Sequence, residues 1–165
     1  NNYGKHKKKS EKDILKIYPK SLIIRTNFYC LGSKKRQSFS DTIMKNIKSN
    51  KEIELFKDVY YTPIYGKYLL KYIFELVKKN NFGIFNISSD EKITKYNFGY
   101  KLCNIFRLNK KLIKPNYLKK RNNLVKRPFN MALNNDKLKK ELNIKIPSIN
   151  YQLKVMKNDL RLLKR

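Results

Sequence analysis

Tyr3 and Lys7 stand four residues apart in a stretch, Tyr3 to Tyr18, whose Ile14, Leu15 and Tyr18 recur at helical spacing. On a helix that separation projects both side chains from one face. A phenol and an ammonium placed together can deliver a proton to a carbonyl oxygen while a hydride reaches its carbon. The ammonium favours the ionised phenol and draws its high reference pKa toward neutrality. The same lysine can donate hydrogen bonds to the ribose hydroxyls of a nicotinamide cofactor. Spacing alone does not establish this chemistry. Twelve tyrosines in a chain with 33 lysines supply several such pairs by chance, and a solvated lysine on a basic helix is the plain alternative.

Other reactive side chains are few. Cys30 and Cys103 lie far apart and form no C-x-x-C pair, so the four clustered ligands of a zinc site are missing and two free thiols are expected. The single histidine, His6, points away from the Tyr3–Lys7 face at helical pitch. The five glycines, Gly4, Gly32, Gly66, Gly83 and Gly99, cannot be assembled into a Gly-rich phosphate loop.

The elements that must position these groups alternate between helix and strand. Pro19 ends the first helix, and Ser21 to Thr26 is a β-branched run expected to be a strand buried on both faces. Ser38 or Ser40 caps a helix carrying Phe39, Ile43, Met44 and Ile47. Glu52 to Phe56 alternates as a half-exposed strand, and Asp58 to Tyr65 is a Tyr-rich segment bent at Pro63. Leu69, Leu70, Ile73, Phe74 and Val77 mark an amphipathic helix closed by Asn80, Asn81 and Gly83. Ile84 to Ile87 is a strand, and Thr94 caps a helix with Phe98, Leu102, Ile105 and Phe106. From Pro115 to Pro128 the chain reads as irregular and basic, followed by short helices over about 135–142 and 149–163. Such alternation predicts an α/β fold with crossover connections.

Net charge is +28, which first suggests a nucleic-acid partner. Lysine outnumbers arginine 33 to 7, however, and lysines occur in every element instead of gathering on one. A surface that reads phosphates and bases favours the planar fork of arginine. Lys, Asn, Ile, Tyr and Phe, all with AT-rich codons, are abundant, while alanine occurs once, at Ala132. Genome bias and a solvated lysine surface therefore explain the charge better than nucleic acid, although they leave the scarcity of Asp and Glu unexplained. A basic cleft for an anionic ligand fits either reading. No apolar run approaches the roughly 18 residues of a membrane span. With 41% hydrophobic residues the chain can pack a core. The start, Asn1-Asn2-Tyr3-Gly4, has neither Met nor an apolar leader, which reads as the middle of a longer, cytoplasmic protein.

Five segments, in order, carry a resemblance. Tyr3-Gly4 with Lys7 and Ser10-Glu11 resembles the Y-G-x-x-K-x-x-G-E helix of extended short-chain dehydrogenases/reductases. Leu22 to Tyr29 is similar to the L-I-x-R-T-S/N-W/F strand and loop that follow it, and Asp58 to Tyr65 to D-x-x-x-T/S-P-I/T-Y. Gly83 to Ile87 with Thr94-Lys95-Tyr96 and Phe98-Gly99 resembles G-I-Y/F-H/N-I/V and S-K-Y-E/D-F-G. Arg127-Pro128-Phe129-Asn130, Leu133 and Lys137-Leu138 resemble R-P-x-N-x-x-L-x-x-x-K-L. Within the superfamily the pattern is most similar to the dTDP-4-dehydrorhamnose reductase group with its sugar-nucleotide-binding relatives.

The resemblance implies the C-terminal part of a Rossmann-like NAD(P)-binding fold joined to a small α/β substrate-binding domain, residues 1–165 lacking the dinucleotide-binding half. It implies reduction of a 4-keto sugar nucleotide with NADPH or NADH, Tyr3 as proton donor and Tyr3 and Lys7 at the cofactor. It places Asn27, Phe28, Thr62, Pro63 and Arg127 at the substrate, Arg127 on the diphosphate. Family enzymes often pair as homodimers through the Tyr–Lys helix, which Lys5, Lys7, Lys8 and Lys9 would oppose by repulsion. Ser10 replaces the usual Gly, Phe28 the usual Trp, and Cys30 stands where a Gly often follows. Three functions stay open: the nucleotide-sugar reductase fragment or a related epimerase/dehydratase, a non-catalytic binding module, and a basic nucleic-acid or polyanion binder. Without the phosphate loop, the chain alone is expected to catalyse little.

Overall fold

The computed structural model describes residues 2–32, 36–121 and 127–163. Six helices and eight short strands alternate along it: α1 (Asn2–Ile17), β1 (Leu22–Thr26), β2 (Phe28–Tyr29), α2 (Phe39–Lys48), β3 (Ile53–Phe56), β4 (Tyr60–Tyr61), β5 (Ile64–Tyr65), α3 (Gly66–Lys78), β6 (Gly83–Ile87), β7 (Ile93–Thr94), α4 (Lys95–Phe106), β8 (Ile113–Asn116), α5 (Asp136–Leu142) and α6 (Ile149–Leu162). Three strand pairs are parallel, β1 with β6, β2 with β5 and β3 with β8, while β4 and β7 run antiparallel. Parallel neighbours need a crossover. For β1 and β6 the crossover passes through all the elements between them and ends in α3. The expected α/β class is the one found.

Capping fixes where the helices begin. Ser38 accepts from Asp41 N while the Asp41 carboxylate accepts from Ser38 N, a reciprocal box that starts α2. Thr94 accepts from Asn97 N at the head of α4, and Ser148 from Tyr151 N at the head of α6. Two clusters bury the apolar faces. One gathers β2, β4, α2, α4 and α6 around Phe98, whose ring lies 4.9 Å from Tyr29 edge-on and 5.9 Å from Tyr61. The other sets α3 and α5 on β6, with Leu76, Phe85, Ile87 and Leu138 nearly sealed from solvent. Gly99 lets α4 approach β3, since a Cβ there would collide with Leu55. Gln152 ties α6 to β5: its Oε1 accepts from Tyr65 N at 2.7 Å and its Nε2 donates to Pro147 O at 2.7 Å.

Three expectations need correction. The β1 strand is not buried on both faces; Leu22, Ile23, Ile24 and Thr26 are half-buried and Arg25 exposed, because among the described residues only β6 pairs with it. On α3 the core face is Leu69, Tyr72 and Leu76, while Leu70, Phe74 and Val77 face outward at 54–61% exposure. That helix is apolar nearly all round, so periodicity could not decide which stripe packs. Of the stretch Pro115 to Pro128 expected to be irregular, residues 122–126 lie outside the described ones, and the part up to Arg121 is more regular than expected. Residues 113–116 form β8 despite Pro115, against Ile53–Phe56, and short 3-10 turns flank it at Lys110–Leu112 and Leu118–Lys120. Cys30 and Cys103 are both free thiols. Among the described residues no helix is long and apolar enough to cross a membrane.

Candidate functional site

Helix α1 carries Tyr3 and Lys7 on one face, and Lys7 Nζ sits 5.7 Å from the centre of the Tyr3 ring. None of the helix's residues is buried, and Tyr3 is 71% exposed. An ion pair ties the same helix to β1. Arg25 on β1 donates to Glu11 from Nε at 2.8 Å and from its terminal nitrogen at 2.5 Å. This fork holds the Glu11 carboxyl below the usual range, against a small opposing effect of burial, and raises the already high Arg25 pKa.

The tethered helix closes one side of a cleft of about 670 Å³. Its lining brings Tyr3 and Lys7 together with Ile24, Asn27, Asn130 and Met131. The far wall, residues 128–133, is held by backbone bonds to β4: Tyr60 N donates to Phe129 O at 2.7 Å and Met131 N to Tyr60 O at 2.8 Å. Asn27 Nδ2 donates to Met131 O at 2.9 Å and so joins that wall to the end of β1. Lys7, Lys8 and Arg25 line the cleft with a single carboxylate, Glu11, which Arg25 already engages. The field there favours an anionic ligand.

The other expected residues fall around this cleft, not in it. Phe28, 57% exposed, projects from β2 into a neighbouring cavity of about 450 Å³ shared with Cys30, Arg36 and Phe39. Thr62 is buried; its hydroxyl accepts from Leu133 N at 3.1 Å, and it lines a third cavity of about 300 Å³ with Ser89, Asp90 and Lys139. Pro63 is buried within the β4–β5 corner. Arg127 is exposed at the entry to the 128–133 wall and is not among the cleft-lining residues. Thus Tyr3, Lys7 and Asn27 meet, while Phe28, Thr62 and Arg127 flank them on separate surfaces.

Sequence reasoning passed over two contributors. The Glu11–Arg25 clasp was visible only as two motif letters fourteen residues apart. Asn130 and Met131 reach the cleft through a bridge to Tyr60 that no local pattern announces. Lys95, read only as one letter of the Thr94-Lys95-Tyr96 segment, lies outside this cleft with its amine over the Tyr61 ring.

A family model described as the RmlD substrate binding domain matches residues 1–162. This chain belongs to that family. The RmlD substrate binding domain seen here also superimposes on solved enzymes. The dTDP-4-dehydrorhamnose reductase of Bacillus anthracis, solved in complex with NADP, matches with a TM-score of 0.83 and 21% identity over 96% of this chain and 55% of that one. A reductase ortholog from Clostridium acetobutylicum gives 0.82 and 22% identity, over 99% and 56%. A hypothetical dTDP-4-dehydrorhamnose reductase from Sulfolobus tokodaii gives 0.61 and 28%, over 73% and 41%. These likenesses show a Rossmann-like α/β fold. The chain spans about half the length of the solved structures it matches. No curated protein sequence matches it significantly.

Proposed function

We propose that this chain is the substrate-binding portion, residues 1–165, of an NAD(P)H-dependent nucleotide-sugar reductase resembling dTDP-4-dehydrorhamnose reductase. The observation that carries the reading is the single cleft in which α1 sets Tyr3 and Lys7 opposite Asn27 and the 128–133 wall. The edge of β1 that is unpaired among the described residues, and the absence of any buried side chain on α1, support a further α/β layer on that side, the dinucleotide-binding half.

The residues present fit one end of the cofactor. Lys7 has donors for ribose hydroxyls and Tyr3 an acidic proton, whereas no phosphate loop can be built from the five glycines. When bound, NADPH or NADH supplies the hydride. Tyr3 gives its proton to the carbonyl oxygen of a 4-keto sugar, and Lys7 stabilises the phenolate left behind. Asn27 acts through its bond to Met131, keeping the cleft wall at the sugar. Phe28 offers an apolar surface beside it, Thr62 supports the cleft wall from behind through its bond from Leu133 N next to the buried Pro63, and Arg127 reaches the diphosphate from the rim.

The test is Tyr3→Phe in NADPH-linked reduction of dTDP-4-dehydrorhamnose, with the dinucleotide-binding half present. Turnover should fall by about 100-fold or more with KM little changed. Full activity would remove Tyr3 from the mechanism.

A further inference from the structure

Helix α3 turns an apolar stripe to solvent. Leu70, Phe74 and Val77 recur at the spacing of one helix face, and each is more than half exposed. The opposite face, Leu69, Tyr72 and Leu76, is the one packed in the core with Phe85 and Ile87 of β6. Phe82 is exposed in the turn that follows α3. At the other end, the Lys67–Asp159 pair holds the last turn of α6, with exposed Leu162, beside the head of α3. Single exposed apolar side chains are ordinary, but a contiguous group of them marks a contact surface.

Charge decides what fits there. In a chain of net charge +28, most surfaces repel a second copy. Two of the three lysines of α3 pair with acids: Lys67 lies 2.9 Å from Asp159 and Lys78 lies 3.8 Å from Glu75. Just past the helix, Lys79 Nζ donates to the Glu141 carbonyl oxygen at 2.9 Å, which brings a third acid to that end. Three of the chain's twelve acids thus gather around one helix. A polyanion would find these lysines engaged, whereas a second copy meets little repulsion. The exposed Ile14, Ile17 and Tyr18 at the end of α1 differ on both counts. Their helix carries six lysines against two acids, one of which Arg25 engages, and it is the helix that the dinucleotide-binding half is proposed to cover. Helix α3 packs instead on β6, the strand away from the unpaired edge of β1.

We propose that the outward stripe of α3 is the contact between two copies of this chain, paired about a twofold axis near Phe74. A twofold contact uses the same patch on both copies. Antiparallel α3 helices then set Phe74 against its copy and Leu70 against Val77 of the other. This contact differs from the pairing through the Tyr–Lys helix that the family resemblance implies, and it does not depend on the nucleotide-sugar reading. Four or five half-exposed apolar side chains on each copy bury on the order of 1,000 Å² in total, the size of a weak, reversible interface.

Sedimentation equilibrium of the chain from about ten to several hundred micromolar, in low salt and in about 0.5 M NaCl, tests this. Dimers should form and should strengthen with salt, which screens the repulsion between two chains of charge +28. Phe74→Asp should weaken dimerisation about 30-fold or more. Its side chain is exposed, so the variant keeps its fold, and unchanged far-UV circular dichroism checks that. In a Cys30→Ser background, Phe74→Cys should join two copies by a disulfide when diamide is added as oxidant, and Tyr18→Cys should not. A monomer at every concentration, or dimers that Phe74→Asp leaves intact, would overturn the contact. Association that weakens with salt, or that appears only with added RNA, would also overturn it and make a polyanion the occupant.

Discussion

Arg25 clasps Glu11 through two parallel hydrogen bonds, 2.8 and 2.5 Å long, and thereby fastens to β1 the helix that carries Tyr3 and Lys7. No residue of that helix is buried, so this pair is one of its ties to the rest of the chain.

Glu11→Gln should therefore loosen α1 selectively. The carboxyl pKa is depressed in the folded chain by the Arg25 hydrogen bonds. A depressed carboxyl contributes stability above its unfolded pKa, about 4.3 for Glu, and loses it as pH falls through the folded value. Arg25 is partly exposed, and solvent screening limits the contribution to about 1 kcal/mol. Hydrogen exchange should show α1 amides opening in acid before those of α3 or α4, and opening already at neutral pH in Glu11→Gln. Uniform exchange across all helices would show that the clasp does not hold α1.

Asn27→Ala should disturb the opposite wall. It removes the bond to Met131 O, worth about 1 kcal/mol, and leaves a carbonyl without its partner. Amides of Ala132 and Leu133 should exchange faster, with those of β6 unchanged. Equal protection in the variant would mean that the bridge to Tyr60 suffices to place the segment.

Tyr61→Phe is expected to be neutral or to stabilise by up to about 1 kcal/mol, because the hydroxyl removed is buried without a partner. Phe98→Ala, at the centre of the same aromatic cluster, should cost about 3–5 kcal/mol. Thermal unfolding of both variants checks this. A marked loss in Tyr61→Phe would show that its hydroxyl is bonded after all.

Much of the fold was legible because its signals are local. Ser38 and Thr94 announce α2 and α4 through their own hydroxyls, and the apolar run 22–26 reads as a strand. The orientation of α3 was not legible, since Leu70 and Phe74 are as apolar as Leu69 and Leu76, and only tertiary packing selects between them. Strand β8 was hidden by its lysine and proline, whose place beside β3 depends on residues sixty positions earlier. The site divides in the same way. The Tyr3–Lys7 spacing lies within one helix, whereas Asn27 meets Met131 across 104 residues. Lys95 was legible only as one letter of the Thr94-Lys95-Tyr96 segment, and its place over the Tyr61 ring depends on tertiary packing.

The most direct measurement of what this chain does is titration, by two-dimensional NMR, with dTDP-rhamnose, NADPH and a random single-stranded RNA in turn. If the chain is, as proposed, the substrate side of a nucleotide-sugar reductase, it should bind dTDP-rhamnose saturably, shifting resonances of Asn27, Phe28 and 130–133, and respond only weakly to NADPH. Silence toward dTDP-rhamnose, with saturable RNA binding at physiological salt spread over the lysine-rich surface, would contradict it.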